Sequence, residues 1–194
     1  MESLALAAFE ELGAALTASK ALIGPLASAG RLAADCLISG RGLLLCGNGG
    51  SAAEAQHLAA EFVGRFMSER PGLPAVALTA DSACLTALGN DYGFEEIFAR
   101  QVKALGRPGD VLWALSTSGR SPNVLRALET ARAAGLRTVF MCGPSPPAPD
   151  AAELIIEAPA SATPRIQELH LLYGHLICRL AEALIFENRD RPQP

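Results

Sequence analysis

The sequence predicts an α/β fold, a three-layer sandwich in which a five-stranded parallel sheet lies between two layers of helices. Three observations support this prediction. Short apolar segments alternate along the chain with longer segments whose apolar residues recur at helical spacing. Two of the apolar segments end in a turn rich in glycine and hydroxyl groups that leads directly into a helix. Half of the 194 residues are hydrophobic, which is sufficient for one substantial core.

The region before the first strand, residues 1–38, is rich in alanine and leucine. A break between Ser19 and Pro25 predicts two helices, which would form an N-terminal hairpin. The first helix carries an apolar stripe made of Leu6, Phe9, Leu12 and Leu16. Because no strand lies in this region, two roles remain open: the helices cover a partner subunit, or they pack on the core of their own chain.

The remaining elements follow in alternation, within a single domain that spans residues 39–187 together with the N-terminal helices. Strands are predicted at residues 43–46, 75–78, 111–115, 138–142 and 153–157. Helices are predicted at residues 52–66, from a cap at Thr79 or Asp81 to Leu88, and at 94–105, 124–134 and 164–186. A turn is expected at Gly89–Gly93, a proline-rich loop at residues 143–149, and a flexible tail at residues 188–194.

The two hydroxyl-rich turns, Gly47–Ser51 and Ser116–Asn123, predict a binding site for an anion. Each joins a strand to a helix, where the first N–H groups of the helix lack internal partners and the helix dipole is positive. Both lie at the carboxyl edge of the sheet, so they could hold the two ends of one phosphorylated ligand. Neither has the closing lysine of a nucleotide P-loop, which favours a monophosphate. Ordinary helix capping remains the alternative for a single turn of this kind.

Composition and charge exclude several other classes of function. The net charge of −4 and the pI near 5.4 argue against a nucleic-acid surface. The start of the chain does not resemble a signal peptide, and no uninterrupted apolar run reaches the length of a membrane span. The five cysteines are scattered and never form a Cys-x-x-Cys pair, which favours reduced thiols. A soluble cytoplasmic protein is therefore expected, with no membrane partner.

A second possible site combines two helices. His57 and Glu61 are four residues apart on one helix face, and the other two histidines, His170 and His175, lie on the last helix near Gln167. Imidazole and oxygen ligands from two helices could bind zinc or another divalent cation, although such His–Glu pairs are also common on helix surfaces. Gln167 and His175 are separated by about 12 Å along a helix, so spacing alone does not make Gln167 a ligand.

Four stretches of the sequence resemble the bacterial phosphoheptose isomerases, which are sugar-isomerase (SIS) domain proteins. The stretches are Cys46–His57, Leu85–Phe94, Ser116–Leu125 and Thr163–Glu168, and the resemblance extends over residues 3–186. It implies an isomerase that converts D-sedoheptulose 7-phosphate to D-glycero-D-manno-heptose 7-phosphate through a cis-enediol, the first step of nucleotide-activated heptose biosynthesis. It also implies a homotetramer with active sites near the subunit interfaces, which would give the N-terminal helices a role.

The resemblance implies a role for each matching residue. Glu61 would be the catalytic base and His175 the acid. The substrate would contact Asn48, Gly49, Gly50, Ser51, Glu61, Asn90, Asp91, Ser116, Thr117, Ser118, Ser121 and Gln167. One zinc ion per subunit would be held by His57, Glu61, Gln167 and His175. For His175 the roles of ligand and acid compete, because a metal-bound nitrogen is not free to donate a proton. The chain departs from the family at Cys84 and in the short loop Gly143–Asp150.

Two alternatives remain at the level of the sequence. Some SIS proteins that resemble these isomerases are non-catalytic regulators that bind the replication initiator, and they lack the residues equivalent to Glu61 and His175. This chain keeps both residues, which favours catalysis because function is argued from a site and not from a fold. The second alternative is an isomerase that acts on a different phosphosugar.

Overall fold

The computed structural model describes residues 1–144 and 150–186, and in them five strands form one parallel sheet. The strands are β1 Leu43–Gly47, β2 Ala75–Ala77, β3 Val111–Ser116, β4 Arg137–Cys142 and β5 Leu154–Glu157. The helices are α1 Glu2–Ala18, α2 Ile23–Ile38, α3 Gly50–Val63, α4 Ser82–Tyr92, α5 Ile97–Leu105, α6 Pro122–Ala133 and α7 Thr163–Phe186. The sheet order is β2-β1-β3-β4-β5, and every neighbouring pair is parallel. The predicted α/β class and the five strands are confirmed.

Helices cover both faces of the sheet. Successive side chains of a strand point to opposite faces, so each strand contributes to two cores. Along β3, Trp113 and Leu115 contribute to a core shared with α2, α3 and α7, whereas Leu112 and Ala114 face a second core shared with α5 and α6. All residues of β1 and β3 are buried. This explains why these strands are continuous apolar runs in the sequence.

The strand order places β1 and β3 side by side at the centre of the sheet. From β1 the chain moves outward to β2, and from β3 it moves in the opposite direction through β4 to β5. The turns that follow β1 and β3 therefore diverge from the point where the strand order reverses, which is the usual ligand position in open α/β sheets. These are the two hydroxyl-rich turns singled out from the sequence.

The N-terminal region is helical as predicted, but α1 and α2 are not joined by a reversing turn. A short 3-10 helix at Ser19–Leu22 connects them, and Ala18, Ser19 and Ile23 all keep right-handed helical backbone angles. The two helices therefore follow one another nearly end to end. Helix α2 packs along α7, and α1 contacts the start of α7, where Arg165 donates to the Ala8 carbonyl at 2.7 Å. By length and composition alone, Glu2–Ile38 and α7 could each cross a membrane. However, 44% and 50% of the most apolar 18-residue stretch in each are buried within the protein.

Some element boundaries differ from those predicted. Helix α4 continues past Leu88 to Tyr92, so the turn expected at Gly89–Gly93 is helical until Gly93, whose φ of +87° ends it. Its cap is Asp81, which accepts a hydrogen bond from the Cys84 N–H at 2.9 Å. Helix α3 stops at Val63 and not at residue 66. The predicted tail, residues 188–194, and residues 145–149 of the proline-rich loop lie outside the described residues.

Candidate active site

The turns after β1 and β3 are joined directly by a pair of side-chain amides. Asn48 donates to the carbonyl oxygen of the Asn123 side chain at 2.8 Å, and Asn123 donates back to that of Asn48 at 2.8 Å. The Asn123 oxygen also accepts from the backbone N–H of Val124. Asn123 is almost fully buried, so the bonds are shielded from water. The two turns are therefore joined directly, and both lie at the carboxyl edge of the sheet, as predicted from the sequence.

The turn after β3 brings three hydroxyl groups together at the start of α6. The oxygen atoms of Ser116 and Ser121 are 2.9 Å apart and share a hydrogen bond, and that of Ser118 is 3.4 Å from Ser116. Ser121 occupies the capping position of α6, but its hydroxyl does not cap the helix. Gly119, at a φ of +67°, lets the chain fold back tightly. The result is a cluster of neutral donors at the positive end of a helix.

Thr117, in the same turn, connects this cluster to the chain that follows the neighbouring strand β4. Its carbonyl oxygen accepts a hydrogen bond from the N–H of Gly143 at 3.2 Å, directly after β4. A Cβ atom on Gly143 would lie 2.3 Å from that oxygen, so only glycine fits here.

The turn after β1 is shaped by glycine and is approached closely by a side chain from α7. Gly49 precedes α3 with a φ of +55°, and Ser51 is buried in the first turn of the helix. The amide nitrogen of Gln167 lies only 2.1 Å from the position that a Cβ atom on Gly50 would take. Gly50 therefore leaves the space that the Gln167 side chain occupies, beside the Asn48–Asn123 pair.

Three predicted site residues converge farther along α3. The Nε2 atoms of His57 and His175 are 2.8 Å apart, and His57 Nε2 is 3.4 Å from Glu61 Oε1. One ligand atom from each of the three residues lies within 4.8 Å of the other two, which is the arrangement expected of ligands around one metal ion. The Glu61 side chain retains 21% of its exposure and His57 44%, so the cluster is open to a ligand.

Helices α3 and α7 run parallel, and their register sets the distance between these features. Gly50 lies against Gln167, and Leu58 lies against Gly174, where an added Cβ atom would come within 2.4 Å of the leucine. Gln167 and His175 are eight residues apart, which corresponds to about 12 Å along α7. Gln167 thus lies against the turn that follows β1, and its part as a fourth metal ligand stays a prediction.

Asn90 and Asp91 are the two predicted site residues that α4 carries. Both are exposed in the last turn of α4, and the Asn90 amide donates to the Asp91 carboxylate at 2.8 Å. Their proposed contact with the substrate stays a prediction.

Several residues near the site were not singled out from the sequence. Glu54 lies one turn before His57, and its Oε2 atom is buried without a hydrogen-bond partner among the described residues. Burial raises the pKa of the Glu54 carboxyl to about 7, and a hydrogen bond with Ser51 lowers it in part. The Phe66 ring stacks on His175 with 5.5 Å between centroids. The sequence offered a signal for Asn123, which is the one side-chain amide in the turn Ser116–Asn123. No local sequence pattern marks Glu54 or Phe66 as a residue of the site.

Comparison with known proteins agrees with this geometry. The chain matches the SIS domain family over residues 9–158. The phosphoheptose isomerase of Nitratidesulfovibrio vulgaris is 55% identical over 159 residues, covering 81% of this chain and 76% of that protein. The phosphoheptose isomerase of Bradyrhizobium sp. is 53% identical over 167 residues, covering 84% of each.

Solved structures give the same result. The phosphoheptose isomerase of Neisseria gonorrhoeae superposes with a TM-score of 0.87 at 40% identity, over 94% of this chain and 98% of that one. The enzyme of Francisella tularensis has the same TM-score at 35% identity, over 93% and 96%. The chain is therefore a member of the phosphoheptose isomerases, a family of SIS-domain proteins.

Proposed function

We propose that this protein is an aldose–ketose isomerase that converts D-sedoheptulose 7-phosphate to D-glycero-D-manno-heptose 7-phosphate. The main observation in support is that one helix, α3, connects a candidate phosphate site with a candidate catalytic carboxylate. Its first turn is tied to the serine cluster through Asn48 and Asn123, and its last two turns present Glu61 beside His57 and His175. A phosphorylated sugar held by the turns would therefore have a carboxylate within reach of its other end.

The phosphate end is supported by the chemistry of the turn after β3. Three serine hydroxyls at the positive end of α6 offer uncharged donors to phosphate oxygens. The turn contains no lysine and the backbone approaches closely at Gly119, which suits a monophosphate. Ser116, Thr117, Ser118 and Ser121 are the residues we assign to this contact.

The chemical step requires a base at carbon and an acid at oxygen. Glu61 removes a proton from C1 of the ketose while the C2 oxygen gains one, which leaves a cis-enediol with hydroxyls on both carbons. The protonated Glu61 then returns its proton to C2, and the C1 hydroxyl gives up its proton as the aldehyde forms. We assign His175 to the substrate oxygens, because its Nε2 atom lies in the same cluster as the Glu61 carboxylate.

The same three side chains fit a zinc ion. Two imidazole nitrogens and one carboxylate oxygen are ligands that zinc accepts, and they already lie within 4.8 Å of one another. His57, Glu61 and His175 would hold the metal, with Gln167 as the proposed fourth ligand. A metal-bound nitrogen of His175 could not also donate a proton, so the roles of His175 as ligand and as acid are alternatives. When bound, the ion would polarise the substrate carbonyl.

Assembly and location complete the proposal. Helix α1 exposes Leu6, Phe9 and Leu16, with 77% of Phe9 accessible, and such a surface suits burial against other copies of the chain in a homotetramer. A cytoplasmic location remains the prediction from composition, as does the absence of nucleic-acid and membrane partners.

The decisive experiment is turnover of D-sedoheptulose 7-phosphate by the wild type and by Glu61→Gln, with Glu69→Gln as the matched control. Glu69 is exposed and lies just beyond α3. We expect Glu61→Gln to lose at least about 100-fold in kcat, because general base catalysis contributes roughly that much, and the control to match the wild type. If Glu61→Gln retains the activity of the wild type, Glu61 is not the catalytic base.

Two further measurements separate the alternatives. Reaction in heavy water should place deuterium at C1 or C2, whereas a product without solvent deuterium would indicate a hydride shift. A panel of pentose, hexose and heptose phosphates, with and without a chelator, tests the substrate and the metal. Failure to turn over any of them would favour a non-catalytic regulator.

A further inference from the structure

We infer that Phe66 is a positioning residue for His175, and that the buried ion pair between Arg70 and Glu182 holds Phe66 in place. The inference rests on the proposed function only in taking His175 and Glu61 as reacting groups. Three independent sets of contacts carry it: the ring stack itself, the carbonyl groups that Arg70 binds, and the anchor that Glu182 provides on α7.

The His175 ring is confined between two other rings. Phe66 stacks on it with 5.5 Å between centroids and 26° between planes, while His57 meets it edge-on at 5.1 Å and 70°. A ring stacked on one face restricts rotation of the imidazole about its own axis. The Phe66 ring therefore helps to fix the direction in which the His175 Nε2 atom points, towards His57 and Glu61.

Arg70 holds the end of α3, from which the segment bearing Phe66 departs. Its Nη2 atom donates to the Glu61 carbonyl at 2.7 Å, and its Nη1 atom donates to those of Phe62 and Gly64 at 2.9 and 3.2 Å. The last carbonyls of a helix lack internal partners, and a cation is favourable there because of the helix dipole. Only 3% of the Arg70 side chain is exposed. One guanidinium thus fixes the backbone of the proposed base and the start of the next segment.

Glu182 anchors the same segment to α7. Its Oε1 atom accepts from Arg70 Nε at 3.0 Å, and its Oε2 atom accepts from the Met67 N–H at 3.2 Å. The pair therefore holds the chain on both sides of Phe66, at Gly64 through Arg70 and at Met67 through Glu182. Glu182 follows His175 by seven residues, just short of two helical turns, so both side chains project from the same face of α7.

A purely structural role for these residues makes a different prediction. Phe66 also packs against the core between α3 and α7, so its loss would lower stability in either case. If stability were its whole role, turnover per folded molecule would not change. If Phe66 orients His175, kcat falls while KM for the phosphosugar stays nearly constant, because the serine cluster and the Asn48 turn lie elsewhere.

The test compares Phe66→Leu with Phe66→Tyr and with the control Phe98→Leu. Phe98 lies on α5 and is buried in the other core, so its truncation lowers stability without touching the site. We expect kcat per folded molecule to fall about tenfold in Phe66→Leu with KM changed less than twofold, and to recover in Phe66→Tyr, which keeps the ring. Phe98→Leu should retain the wild-type kcat.

A second measurement does not depend on activity. The chain has three histidines, so the ring resonances of metal-free protein labelled at histidine can be assigned by substitution. The chemical shifts of the His175 ring protons should change in Phe66→Leu, because the ring current of the neighbouring phenyl ring is lost. They should not change in Phe98→Leu. If kcat in Phe66→Leu is within twofold of the wild type, or if the His175 resonances do not move, the inference is wrong. Absence of wild-type turnover would refute the proposed function and leave the resonance test intact.

The Arg70→Lys variant tests the anchor. Lysine keeps the charge beside Glu182 but cannot donate to several carbonyls at once. We expect it to lower kcat as Phe66→Leu does, and the loss in the double variant to be clearly smaller than the product of the two single losses, because Arg70 acts in part through Phe66. Multiplicative losses in the double variant would overturn the anchoring role, and if Arg70→Lys does not fold, the Phe66 variants decide the inference.

Discussion

Substituting Gly50 by alanine would test the role of Gln167 without touching Gln167 itself. The new Cβ atom would lie 2.1 Å from the Gln167 amide nitrogen and 2.9 Å from its Cδ atom. Ordinary van der Waals contact begins near 3.4 Å, so the amide must retreat by about 1.3 Å. The obstructing atom is the end of a flexible side chain, so the displacement is local.

The expected effects on stability and on activity differ in size. Alanine is favoured over glycine within a helix by roughly 0.5–1 kcal/mol, which offsets part of the cost of moving Gln167. The free energy of unfolding should therefore change by less than about 1 kcal/mol. If Gln167 contacts the substrate, a displacement of this size should lower kcat/KM by roughly 10- to 100-fold.

The assay pairs urea unfolding with turnover of D-sedoheptulose 7-phosphate. Gly13→Ala is the matched control, because Gly13 lies within α1 and no atom of the described residues comes within 4 Å of its Cβ position. Wild-type kcat/KM in Gly50→Ala would show that the position of Gln167 does not matter to the reaction. A large loss of stability in that variant would show that the Gln167 amide cannot move.

Three other predictions concern the Asn48–Asn123 hydrogen bonds, the buried His170 and the exposed Phe9. Asn123→Ala removes both bonds to Asn48, so we expect a loss of about 1–3 kcal/mol in urea unfolding and a raised KM; an unchanged KM would separate the two turns functionally. Burial lowers the pKa of His170 from 6.5 to about 4, so the unfolded chain binds a proton at higher pH than the folded one, and stability falls by about 3 kcal/mol as pH drops from 6.5 to 4. His170→Phe should flatten this slope in urea unfolding measured across the window, and an unchanged slope would contradict the assignment. Phe9→Arg should reduce the mass of the assembly in sedimentation, and an unchanged mass would exclude this face from the interface.

Much of the fold could be read from the sequence because its signals are local. The apolar runs of β1 and β3 are continuous since both faces of the sheet are covered, and the turns that follow them carry their own glycine and hydroxyl pattern. The connection at Ser19–Leu22 was harder to predict, since a 3-10 turn and a reversing turn look alike in sequence. Helix α4 runs on to Tyr92 because Asn90 and Asp91 remain compatible with its last turn.

The sequence predicted the cluster from the spacing of its residues within two helices. His57 and Glu61 share a face at a separation of four residues, and their convergence with His175 is confirmed by the geometry. The contact between Arg70 and Glu182 joins residues 112 positions apart, and no local pattern indicates it. The bonds between Asn48 and Asn123 are also long-range, so the sequence predicted that the two turns meet without showing what joins them.

The register of α3 against α7 is the physical basis of the whole site. Gly174 lets the two helices approach so closely that Leu58 would collide with any larger residue, and this contact lies between the Gln167 end and the His175 end. A slide of one residue along either helix would move side chains by about 1.5 Å, which is more than the hydrogen-bond distance between His57 and His175 tolerates. The Gly50–Gln167 contact and the cluster of His57, Glu61 and His175 are therefore governed by the same packing, and a change at Gly174 should disturb both together.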